Sequence, residues 1–154
     1  MKRSIIALLL LFVLLLTLLS GCAAKEPDTS LSAILSEIRE ETGISEGLIL
    51  TDTDLLELYG IEVTDVADHA CLSSMNGIFP DEILMIRAAN EEALSRIQDK
   101  LDRRLSEVLN QSKSYDAASY AVAQKCQVNV RGLYIALFVS AQHEEMSRIY
   151  DAHF

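Results

Sequence analysis

His69 and Cys71 stand two residues apart, and a histidine beside a cysteine can make a thiolate nucleophile. In a strand that spacing puts both side chains on one face. Catalytic pairs of this kind are usually assembled from remote positions, and no Asn or Asp orienter for the imidazole is evident. The neighbours Ala70, Leu72 and Met75 read instead as a packed strand. Asp52, Asp54 and Glu57 resemble part of a calcium loop, but the glycine and later ligands of such a loop are missing. Helix capping accounts for them better. His143-Glu144-Glu145 lacks the second histidine of a zinc-protease helix and reads as the acidic first turn of a helix. The glycines form no phosphate-binding cluster, and there is no Gly-x-Ser-x-Gly elbow. Tyr59, Tyr115, Tyr120, Tyr134 and Tyr150 suit the edge of a core more than a recognition surface. These residues yield no catalytic assignment, no metal site and no cofactor. The alternative that stays open is a small enzyme built on Cys71 and His69.

Cys22 carries a better-specified chemistry. Met1-Lys2-Arg3 is basic, and Ile5 to Leu19 is uncharged, with Thr17 its one polar residue. Leu19-Ser20-Gly21-Cys22 follows. A basic start, a short apolar run and small residues before a cut form a secretory signal. The run is short of the roughly 20 residues of a spanning helix. The Leu-Ser-Gly-Cys sequence is a lipobox, in which the thiol accepts diacylglycerol and cleavage falls before the cysteine. Residues 1–21 are therefore expected to be a lipoprotein signal peptide, 22–29 a lipidated cysteine and mobile tether, and 30–154 one domain. The expected location is outside the cell, lipid-anchored on the outer face of the cytoplasmic membrane.

Removing the 21-residue leader from 154 leaves 133 residues, enough for one domain with its own core. Lys2 and Arg3 leave with it, so 11 of the 13 basic residues remain against 23 acidic ones. Phosphate backbones reward clustered Lys and Arg, so nucleic acid is not an expected partner. Such a surface is also not drawn to anionic headgroups, and its acidity suits solubility. Cys71 and Cys126 form either a disulfide, which export permits, or two buried free thiols. A domain of this length does not need a staple, which favours the thiols.

The elements that must position these residues follow from periodicity. Ser30 can cap a helix in which Leu31, Ile34, Leu35 and Ile38 share a face, ended at Thr42-Gly43. Ile44 to Leu50 connects. Asp52 or Thr53 can cap a short helix that stops at Tyr59-Gly60, and Thr64 to Asp68 reads as another turn of helix. Ala70 to Met75 and Glu82 to Ala89 read as strands about an Asn76-Gly77 turn. Asn90 caps the longest helix, whose stripe is Leu94, Ile97, Leu101, Leu105 and Val108. Glu92–Arg96 and Asp99–Arg103 are spaced to pair on its wet side. Ser112 to Ser119 is a polar connection. A hairpin follows about Arg131-Gly132, with strands around Cys126–Val130 and Leu133–Val139, and Gln142 to Tyr150 ends the chain as a helix. The expected class is α+β: an antiparallel sheet of about four strands in two hairpins, covered by one long helix, with short terminal helices. The strands 82–89 and 133–139, the most apolar, belong in its middle.

From about Leu55 to Phe154 the chain resembles a family of small exported lipoproteins of Gram-positive, mainly clostridial-type bacteria, containing domain of unknown function 4358. The resemblance rests on Leu58-Tyr59-Gly60-Ile61, Thr64-Asp65-Val66, Met75-Asn76, the strand from Asp81 to Ile86, Tyr120 and Gly132-Leu133-Tyr134. Members often carry Tyr-x-Pro where this chain has Tyr120-Ala121-Val122. The resemblance implies an exported lipoprotein and brings no activity, cofactor or catalytic residue. The expected role is a non-catalytic interaction module with an envelope protein partner, held to the membrane through Cys22. A small-ligand carrier is the other alternative.

Overall fold

Leu31, Ile34, Leu35 and Ile38 do share the buried side of the first helix, α1 (Leu31–Thr42). The Ser30 hydroxyl caps it by accepting from the Ala33 amide at 3.2 Å. Gly43, at φ 70°, turns the chain out in the left-handed conformation that glycine tolerates. These positions come from a computed structural model that describes residues 26–74 and 81–154. The leader, Cys22 and the Asn76-Gly77 turn lie outside the described residues.

The connecting run after α1 contains a two-residue strand, β1 (Leu48–Ile49). Helix α2 (Asp52–Tyr59) is capped by Thr51, not by Asp52 or Thr53. The Thr51 hydroxyl and the Asp54 carboxylate each take up the other residue's backbone N–H, a reciprocal box. A single 3-10 turn (Val63–Asp65) leads into β2 (Val66–Ser73), which starts four residues earlier than expected. Strand β3 (Glu82–Ala88) runs back beside it. Helix α3 (Glu91–Tyr115) is 25 residues long. The segment expected to be a polar connection is helical instead. Helix α3 continues to Tyr115, and α4 (Ala117–Ala123) starts again from an Asp116 cap. Helix α4 spans Tyr120-Ala121-Val122, and a proline at 122 would remove an N–H that this helix uses. Strands β4 (Val128–Arg131) and β5 (Tyr134–Val139) make the second hairpin, and α5 (His143–Ala152) closes the chain. Cys126 precedes β4 and is not in it.

The sheet is antiparallel, in the order β1-β2-β3-β5-β4, so it has five strands and not four. The two most apolar strands, β3 and β5, are neighbours inside it, as their composition required. Both faces are covered. Leu84, Ile86, Ile135 and Leu137 pack with α2, α3 and α4 on one side. Ile83, Met85, Ala136 and Phe138 pack with α1 and α5 on the other. A strand between two covering layers has no polar face, which is why β3 and β5 do not alternate. The α+β class stands. The fifth strand and the second covering layer go beyond the expected four strands under one long helix.

On α3 the buried positions are Ala93, Ile97, Leu101, Val108 and Ser112, while Leu94 and Leu105 are half-buried. The expected pairs along the helix do not form. Arg96 forks onto Asp65 instead, with nitrogen–oxygen distances of 2.9 and 2.6 Å. A buried carboxylate accepting two hydrogen bonds is a stronger partner than an exposed neighbour on the same helix. Arg103 lies 3.8 Å from Glu107 and reaches the Tyr59 carbonyl at 3.5 Å.

Candidate functional site

Strand β2 puts His69 and Cys71 on the same side of the sheet, under α2 and α3. There the resemblance to a catalytic pair ends. Cys71 has 0% exposure, and its Sγ donates to the Met85 carbonyl at 3.6 Å. Burial pushes its thiol up to about 12. A thiol that stays protonated and sealed cannot attack a substrate. His69 lies nearer the edge, and its Nε2 is 3.1 Å from Asp52 Oδ1. Tertiary structure thus brings Asp52, 17 positions away in sequence, to the imidazole, while the thiol of Cys71 stays buried. Cys71 and Cys126 are both free and buried. Burial raises the Cys126 thiol as well.

The most demanding charge arrangement lies on the same sheet face. Glu82 opens β3 two residues before Leu84, so it points under α3 with 2% exposure. Arg104 comes in from α3 and forks onto it, with Nε donating to Oε2 at 3.1 Å and Nη2 to Oε1. The Arg104 guanidinium also stands 6.0 Å from the centre of the Tyr59 ring. Burial and then the nearby Glu82 charge drive the Tyr59 phenol far above its usual value. Sequence periodicity missed this group. Its signal was an arginine spaced like the stripe residues Ile97, Leu101 and Val108, and a glutamate in phase with Leu84 and Ile86. A paired buried charge of this kind fixes the register of α3 on β3.

Two surface depressions are formed by described residues. One, of about 390 Å³, is lined by Lys125, Gln127, Phe138, His143, Ser147 and Arg148 among others. His143 Nδ1 donates to the Ser140 carbonyl at 3.0 Å, and Nε2 takes no part in that bond. That nitrogen is 3.9 Å from the nearest Glu144 oxygen. The second, of about 200 Å³, lies beside Ile44, Ser74 and Asp81. Among the described residues no group of three His, Cys, Asp or Glu side chains is arranged to hold a metal ion. Asp52 and Asp54 serve α2, with Asp54 closing the capping box.

The start of the described chain is the remaining cluster. Mobile tether was expected through residue 29, but Glu26 accepts a hydrogen bond from the Tyr134 hydroxyl and lies 3.8 Å from Arg87. The Asp28 amide donates to the His153 carbonyl at 3.0 Å. The His153 ring bridges two carboxylates, Asp28 at 2.6 Å and Glu37 at 2.9 Å. No periodicity announces such docking, because side chains and C-terminal residues make it rather than an element. His153, the penultimate residue, carried no sequence signal at all.

A family model described as a domain of unknown function (DUF4358) matches residues 44–140. That span runs from β1 to the end of β5 and includes Glu82, Arg104 and Tyr59. No curated protein and no solved structure matches the chain.

Proposed function

The chain belongs to the DUF4358 family, and from that premise we propose an exported lipoprotein whose domain works at the cell envelope as a non-catalytic interaction module. The observation that carries the reading is Leu19-Ser20-Gly21-Cys22 behind a basic and then apolar leader. Lipid on Cys22 holds the domain to the outer face of the cytoplasmic membrane, where it meets an envelope protein. The buried thiol of Cys71 favours this reading over an enzyme built on Cys71 and His69. None of the described helices is long and apolar enough to cross a membrane. The cleft beside His143 supports a second reading, a carrier of a small ligand.

Replacing Cys22→Ala is expected to abolish labelling by a radioactive fatty acid and to leave uncut precursor. Equal labelling of both proteins removes the anchor from the proposal. Crosslinking in intact cells, followed by recovery through the lipidated protein, tests the partner. Recovery of the same envelope protein from a strain with unrelated bait would remove that part.

A further inference from the structure

The docked start of the chain has a consequence for how the domain meets the bilayer. Three residues, Glu26-Pro27-Asp28, are fastened at both ends: Glu26 to Tyr134 and Arg87, and Asp28 to His153 by side chain and backbone. Pro27 between them has a fixed φ, so the fastened piece is stiff. All the anchoring residues lie at one end of the sheet. Tyr134 opens β5, Arg87 pairs with it near the end of β3, and His153 follows the last turn of α5. The same end holds the Arg131–Asp151 pair, the turn between β4 and β5, and the N-terminus of α3. The opposite end holds Glu82, Val139 and the turn from β5 into α5.

Only four chain steps separate Cys22 from Glu26, and extended chain spans at most about 14 Å in that length. We infer that the domain stands on the lipid surface with one fixed end down, the end where β3 enters α3 and β4 turns into β5. The partner is the bilayer itself, reached because the tether is clamped to that end. The acidic domain has no general attraction to headgroups, so the covalent geometry sets the orientation, not charge. The opposite end, with Ser140 and the N-terminal turn of α5, then faces away from the membrane and is presented to other proteins. Each exposed contact of the clamp is weak alone, but the contacts act together with a backbone hydrogen bond on a segment of three residues.

The inference rests on the lipid anchor proposed above, and one experiment separates the two. Mature lipidated protein is reconstituted into vesicles that carry an energy acceptor on a fraction of the headgroups. A donor is attached at Glu91→Cys, at the proximal end, or at Ala141→Cys, at the distal end. Both replaced residues are exposed, and the two remaining native thiols are buried. The ends of β3 are about 20 Å apart at ~3.3 Å per residue. Transfer from position 91 is expected to exceed transfer from 141 severalfold. The difference is expected to vanish in a Glu26→Ala/Asp28→Ala protein, whose changes remove the clamp contacts and lie outside the core, with an unchanged circular dichroism spectrum as the check of folding. Equal transfer from both positions in the unaltered tether, with the protein on the vesicles, overturns the fixed orientation and spares the anchor. A persistent difference in the tether variant overturns the clamp as its cause. Protein that does not float with the vesicles overturns the anchor, and the orientation with it.

Discussion

Glu82 and Arg104 are the residues on which the domain depends most sharply, because each justifies the burial of the other. A lone carboxylate or guanidinium at that depth loses its water and gains nothing. Glu82→Ala or Arg104→Ala is therefore expected to destabilise the protein by about 3–5 kcal/mol. Replacing both by apolar residues, as Glu82→Leu with Arg104→Met, is expected to cost less than either single change, since no charge is stranded. Chemical denaturation of the four proteins checks this, and additive losses would show that the pair is not one unit. Cys71 gives a second prediction at this scale. Its thiol is expected to react slowly with a thiol reagent in the native protein and fast after unfolding, because burial holds it protonated at about 12. Rapid native labelling that His69→Ala removes would reverse the order of the functional readings.

Among the elements, α3 carries the largest share of one core layer. Leu101 has 0% exposure and sits between Ile97 and Val108 on the buried side, while Asp102 is exposed. Leu101→Asp puts an unpaired charge against β3 and is expected to unfold the domain, at a cost of about 4 kcal/mol or more. Asp102→Ala is expected to change stability by no more than about 0.5 kcal/mol. Thermal melts distinguish the two, and equal melting temperatures would mean the helix is packed in another phase. The apolar periodicity of α3 was legible because a 3.6-residue repeat survives in sequence. The partners of its arginines were not. Arg96 and Arg103 each had an expected neighbour on the helix, Glu92 and Asp99, and each reaches a residue on another element, as Arg104 does.

On the scale of the whole molecule, His153 ties the two termini together. The Asp28 carboxylate raises the imidazole above its usual value, burial works against this, and Glu37 adds to the rise. A histidine whose pKa is raised in the folded protein contributes stability that is fully present below its unfolded value and lost as pH rises through the folded one. The melting temperature of the wild type over that of His153→Ala is thus expected to be largest near pH 5.5 and to shrink by about pH 8.5, above the ordinary value of about 6.5. A margin that stays constant or grows over that range would mean that His153 acts by packing alone. Loosening of this contact frees the chain start, so the same pH rise is expected to relax the orientation on the membrane.

The sequence by itself determined the α+β class, the caps at Ser30 and Asn90, the central place of β3 and β5, and the membership of the family. Each rests on local information: a side-chain repeat, a capping residue beside a repeat, a run with no polar face, or a succession of short motifs. Only tertiary structure decided that β1 adds a fifth strand, that α1 and α5 cover the second face, and that α3 runs on to Tyr115. Only it brought Asp52 to His69, Glu82 to Arg104, and Asp28 to His153 across 125 positions. Such pairs obey distance in space, and distance along the chain carries almost no trace of it. A two-residue strand such as Leu48–Ile49 has no period to read and exists because β2 offers it an edge.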